Sequence, residues 1–101
     1  MNLIRKIAMR LGMEVLLCQL AEECAELIQA AMKLYRIRNG ENPTRMSEEE
    51  AKAALLEEIA DVSICLTALG VDSGLNRMKI QEIVDRKTRR WAESLGIEAE
   101  Q

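Results

Sequence analysis

The chain has 101 residues, 14 Lys/Arg against 17 Asp/Glu, no His and a net charge of −3. That length predicts one domain, and the mild acidity argues against a general binder of nucleic-acid polymers. No stretch approaches the ~20 apolar residues of a membrane span and no signal peptide is read at the start, so a cytoplasmic protein without a membrane partner is expected. With no Phe, one Trp and one Tyr, the core must be built from Ala, Leu, Ile and Met, which favours helices over sheets.

The spacing of apolar residues predicts a short amphipathic helix over Asn2–Leu11 (Leu3, Ile4, Ile7, Ala8, Leu11), ended by Gly12. A long helix follows from Met13 to about Arg38, closed by Asn39-Gly40. Glu41 to Met46 reads as a loop holding Pro43. Ser47 with Glu50 is a capping-box pattern that starts the next helix, expected to run to Leu69 and stop at Gly70. A turn over Val71–Gly74 leads to a last helix from Leu75 or Asn76 to Leu95, ended by Gly96, with fraying beyond. The expectation is an all-α fold, a four-helix bundle-type protomer with one short N-terminal helix and three longer ones, forming a single domain over 1–101 with its core in 13–95.

On the long helix, Gln19, Glu22, Glu23, Glu26, Gln29 and Lys33 fall on one polar stripe. Leu16, Leu20, Leu27, Ala31 and Leu34 lie opposite, and Leu17, Ala21, Cys24, Ile28, Met32 and Tyr35 widen the apolar arc. That arc spans roughly 160°, where a helix packed on one side needs ~100°. A small protomer cannot cover it alone, so a homo-oligomer is expected.

The next helix carries an anomaly. Turning about 100° per residue places Ala51, Leu55, Val62, Cys65 and Leu69 on one side, with Glu58 among them and Asp61 one turn on. A buried unpaired carboxylate must be neutralised, paired or bound to a cation. Glu23 and Glu26 form a second such pair at i, i+3. Two carboxylate pairs on two packing helices predict a divalent-metal site inside the bundle, one that binds more than a single ion or adds basic side chains. An ion pair from Glu58 or Asp61 to Lys33 or Lys87 is the structural alternative, as is a solvated face for Glu22, Glu23 and Glu26. Cys18, Cys24 and Cys65 show no CxxC spacing, which with the absence of His argues against zinc and for free thiols that pack.

The last helix mirrors the anomaly with opposite sign. Ile80, Ile83, Val84 and Trp91 define its apolar face, Lys87 sits among them, and Arg90 lies one turn on. Six basic residues stand between Leu75 and Ala92 against Glu82 and Asp85. A basic helix beside an acidic cluster suits a substrate that is both anionic and metal-bound.

The pattern Glu22-Glu23-x-x-Glu26 followed by Glu58-x-x-Asp61 resembles the signature of the MazG-type all-α nucleoside triphosphate pyrophosphohydrolases. The strings QLAEECAELIQAAMKLYR (Gln19–Arg36), LLEEIADVSICLTAL (Leu55–Leu69) and KTRRW (Lys87–Trp91) are similar to that family's two motif helices and its basic last helix. The 31 residues from Leu27 to Glu57 exceed the family's common spacing, and the extra length is expected in the loop Asn39–Met46.

The resemblance implies that Glu23, Glu26, Glu58 and Asp61 hold Mg2+, with Mn2+ a substitute. It implies hydrolysis of a nucleoside triphosphate to the monophosphate and pyrophosphate. Lys33, Lys87 and Arg90 would contact the phosphates, Glu22 would orient the water, and the assembly would be a homodimer or dimer-based tetramer. The alternative is a catalytically silent helical oligomer acting as an interaction or regulatory module.

Overall fold

The computed structural model describes residues 2–40, 45–72, 75 and 77–98. They form three helices, α1 (Leu3–Asn39), α2 (Glu48–Asp72) and α3 (Arg77–Ser94), with no strand among the described residues. The expected loop around Pro43, the turn through Ser73 and Gly74, Asn76 as a helix start, and the final residues lie outside them.

Local chemistry explains most of the boundaries. Asn2 caps α1 by accepting the Arg5 backbone N–H at 2.9 Å, and Gly40 closes it in the left-handed conformation (φ 68°). The capping box at α2 forms in both directions. The Glu50 N–H donates to Ser47 Oγ at 3.1 Å, and the Ser47 N–H donates to Glu50 Oε1 at 3.2 Å. At the end of α3, Gly96 takes φ 75° while the Ile97 N–H reaches back to the Ala92 carbonyl at 2.9 Å, which satisfies an otherwise orphaned carbonyl.

As expected, the helix is interrupted at Gly12, and α1 is two helical segments joined across a kink there. Its backbone stands at φ 80°, ψ 168°, and helix continues on both sides. The expected short N-terminal helix is thus the first segment of α1, set at an angle to the rest. Gly70 departs from expectation, because α2 runs through it to Asp72. A mid-helix glycine costs about 1 kcal/mol relative to Ala. Here that loss is offset by its neighbours: Ala68 and Leu69 are buried, and Val71 packs against their cluster.

The apolar cluster joins α1 to α2. Ala8, Leu16, Ala68 and Leu69 are buried together, with Ile4, Leu20 and Val71 packed against them. It therefore reaches forward of residue 13 into the first segment of α1. Leu16 meets Ala68 near one end of the pair, and Arg38 pairs with Glu48 at 3.8 Å near the other, so the two helices run antiparallel. Ala51, Cys65 and Leu69 are buried while Leu55, Val62 and Glu58 are half-buried, which is the face of α2 predicted from its periodicity.

α3 buries no residue. Met78, Ile80, Ile83, Val84 and Trp91 stay exposed, Trp91 at 71%. On α1 the second half of the apolar arc is open too, with Leu17, Ile28, Met32 and Tyr35 all exposed. The radius of gyration is 17.4 Å, against roughly 13 Å for a compact chain of this length. The accessible surface is 8400 Å², against roughly 5,800 Å² for a compact monomer of 11.4 kDa.

A side chain at Gly12 would meet open space, since no neighbouring atom lies within 4 Å of where its Cβ would stand, yet its φ/ψ is a region that only glycine occupies readily. Gly12→Ala should therefore destabilise the chain by about 1–3 kcal/mol through backbone strain alone. Thermal unfolding measures this, and an unchanged midpoint would show that the break tolerates a Cβ.

Candidate metal centre

The antiparallel pairing of α1 and α2 places two i, i+3 carboxylate pairs against each other. Glu23, Glu26, Glu58 and Asp61 each offer an oxygen, and all of these atoms lie within 4.8 Å of one another. Glu23 is opposed by Asp61 and Glu58 by Glu26 across the interface. The quartet sits midway along the helix pair, where an apolar residue would otherwise fill the seam. Glu23, Glu58 and Asp61 are half-buried and Glu26 is exposed.

Two oxygens are left without partners. Glu23 Oε2 and Glu58 Oε2 are buried and accept no hydrogen bond from the described residues. The other Glu23 oxygen accepts from Gln19 Nε2 at 3.0 Å. Gln19 stands one turn before Glu23 and fixes its carboxylate; its i−4 spacing is the sequence signal for that role. The ion pairs seen among the described residues, Arg38–Glu48, Lys52–Glu48 and Lys52–Glu49, do not reach the quartet. The structural alternative of a buried ion pair to Lys33 or Lys87 is thus not what the structure shows.

The electrostatics follow. Burial pushes the carboxyl of Glu23 above the usual range, Gln19 partly opposes this, and the charges of Glu26 and Asp61 add to the rise. Glu58 is raised by burial and then by Glu26, Asp61 and Glu23. No lysine or arginine is among the groups that act on either. The buried Cys65 thiol is raised by burial and by Glu23 and Asp61. Cys18, Cys24 and Cys65 are all free thiols. Four hard oxygen donors, converging, partly desolvated and uncompensated by cations, fit a magnesium-type ion and suit thiophilic ions less well.

The other residues expected at the site are placed as follows. Glu22 is exposed and stands outside the converging group. Lys33 shares a groove of about 370 Å³ with Glu26 and Glu58, lined also by Gln29, Ala30, Met46 and Ala54. Lys87 and Arg90 lie on exposed α3, and neither lines that groove. Within one chain, then, the acidic half of the expected site is assembled and the basic helix is not brought to it. No described helix is long and apolar enough to cross a membrane.

Comparison of the chain with protein-family models, with curated proteins and with solved structures finds no match.

In metal-free solution the raised Glu23 and Glu58 carboxyls make stability pH-dependent. Between the ordinary carboxylate value and the raised native one, the folded chain holds more protons than the unfolded chain, so stability falls as pH rises through that window. Glu58→Gln should remove part of this loss, and the variant should be as stable as the wild type or more so at neutral pH. Saturating Mg2+ should rescue the wild type more than the variant. Thermal midpoints from pH 4 to 8 test this; a variant that is markedly less stable at neutral pH without metal would contradict it.

Proposed function

We propose that the chain is a Mg2+-dependent nucleoside triphosphate pyrophosphohydrolase. The observation that carries the reading is the quartet: two i, i+3 carboxylate pairs on antiparallel helices converge within 4.8 Å and leave two buried oxygens unpartnered among the described residues. The resemblance of Gln19–Arg36, Leu55–Leu69 and Lys87–Trp91 to the MazG-type motifs supports it from the sequence.

In this reading Glu23, Glu26, Glu58 and Asp61 hold Mg2+, or Mn2+ in its place. The ion supplies charge neutralisation for the polyphosphate and a lowered pKa for the attacking water. The chain's own groups do the rest. Gln19 holds the Glu23 carboxylate in place. Glu22, exposed beside the quartet, orients the water and takes its proton. Water adds to one of the two phosphorus atoms flanking the α–β bridging oxygen, the P–O bond from that phosphorus to the bridge breaks, and the monophosphate and pyrophosphate leave. Lys33, in the groove it shares with Glu26 and Glu58, contacts the phosphate nearest the sugar.

The remaining cations require assembly. α3 carries Arg77, Lys79, Arg86, Lys87, Arg89 and Arg90 against Glu82, Asp85 and Glu93. It has an apolar face with nothing buried on it. The surface in excess of a compact monomer exceeds the ~800 Å² that each partner of a standard stable interface buries. A homodimer or dimer-based tetramer would complete the bundle, cover the open faces of α1 and α3, and bring Lys87 and Arg90 to the phosphates.

The first test is pyrophosphate release from ribo- and deoxyribonucleoside triphosphates with Mg2+. Release should need both the ion and Glu58, with Glu58→Gln lowering kcat by at least ~100-fold, the scale of a lost catalytic interaction. A folded chain that binds Mg2+ and releases pyrophosphate from no nucleotide would sink the reading and favour a silent module. Two variants address the assembly. Val84→Asp should reduce the mass seen by light scattering, together with activity. Lys87→Ala should weaken nucleotide binding more than Mg2+ binding, whereas equal losses would mean a structural role.

A further inference from the structure

The groove beside the quartet has chemistry of its own. Glu26 and Glu58 belong both to the quartet and to the groove's lining, so whatever occupies the groove abuts the proposed metal centre. Its volume of about 370 Å³ falls in the range of small-molecule pockets, ~300–1,000 Å³. It has room for a heterocyclic base with its sugar.

Charge decides which end of a nucleotide suits it. Among the described residues the lining sets Glu26 and Glu58 against the single cation Lys33. With Glu26 and Glu58 engaged on the metal side, the groove would offer a triphosphate one cation, whereas the ion neutralises phosphates over the quartet and a neutral ring needs no such partner. Ala30, Met46 and Ala54 offer apolar area for a flat ring. Gln29, one turn after Glu26 on the same stripe, lines the groove with a carboxamide that both donates and accepts. The Gln19 amide is taken by Glu23, whereas no hydrogen bond occupies Gln29 among the described residues.

We infer that this groove receives the uncharged nucleoside end of the substrate and that Gln29 hydrogen-bonds the edge of the base, setting base preference. The inference rests on the pyrophosphohydrolase reading. It orients the substrate: the triphosphate lies over the quartet and the nucleoside lies beside Gln29 and Met46, with the long Lys33 side chain directed back along α1 towards the phosphate closest to the sugar. A site that hydrogen-bonds one base edge discriminates against bases whose donors and acceptors are reversed, because its own polar group is then left unpaired.

The test uses the full chain with Mg2+. Gln29→Met keeps the length of the side chain and removes both hydrogen-bonding functions. Turnover of the four bases by wild type and Gln29→Met gives the ratio of kcat/KM between the preferred base and the next. That ratio should fall by on the order of tenfold in the variant, mainly through KM. Mg2+ affinity without nucleotide, measured by calorimetry, should be unchanged. Gln29→Asn, which keeps the carboxamide, should retain the order of preference. An unchanged ratio in Gln29→Met with turnover intact overturns the inference, as does a loss that is equal for all bases.

A second measurement separates this failure from failure of the hydrolase reading. Binding of non-hydrolysable α,β-imido nucleotides to the Mg2+-loaded chain reads the groove without turnover. If the wild type hydrolyses nothing but binds these analogues with a base preference that Gln29→Met erases, the groove assignment stands and the hydrolase reading falls. If no analogue binds, both fall.

Discussion

The structure depends on the placement of four like charges in the seam between α1 and α2. A helix pair is held by apolar contact along a continuous face, and here that face is interrupted at its midpoint by Glu23, Glu26, Glu58 and Asp61. Desolvated carboxylates repel one another across the interface and oppose the packing that creates them. The apolar cluster of Ala8, Leu16, Ala68 and Leu69 lies to one side of the quartet, and the capping box at Ser47 and the Arg38–Glu48 pair lie to the other. The apolar cluster, which joins α1 to α2, holds the carboxylates together although they push apart, and the exposed Arg38–Glu48 pair adds little.

The same pairing explains why the protomer is so open. One apolar face of each helix in the α1–α2 pair is covered by the other, and the rest of the arc on α1 has no partner among the described residues. α3 extends with its apolar residues uncovered and its basic residues arrayed beside them. The acidic site and the basic helix thus occupy separate parts of one chain, with α3 at net +3 and the remainder at −6.

Glycine marks the points where the chain redirects itself, but in different ways. Gly40 and Gly96 end helices in the left-handed region. Gly12 breaks α1 and lets its first segment turn so that Ala8 and Ile4 reach the end of α2. Gly70 does none of this and remains helical, with Arg77 Nε 3.8 Å from where a Cβ would stand. A glycine in sequence is permission to leave the helix, and whether the permission is used depends on what the flanking residues bury.

Periodicity and caps were enough to place the helices though not the end of α2, and to mark the α2 face that packs and the two carboxylate pairs, because these are local properties set by the 3.6-residue turn and by side chains within four residues of one another. They also marked the apolar arc of α1 as wider than one partner could cover. Three things needed the tertiary structure. The convergence of the pairs depends on the antiparallel register of α1 against α2, which no local spacing encodes. The continuation of α2 through Gly70 depends on burial of Ala68 and Leu69 against α1. The placing of Gln29 with Lys33, Met46 and Ala54 in one groove depends on residues from two helices meeting across the interface. Lys87 and Arg90 show the limit from the other side: their pattern on α3 is plain in the sequence, yet the fold of a single chain leaves them away from the carboxylates, since only contacts between elements decide which charges meet.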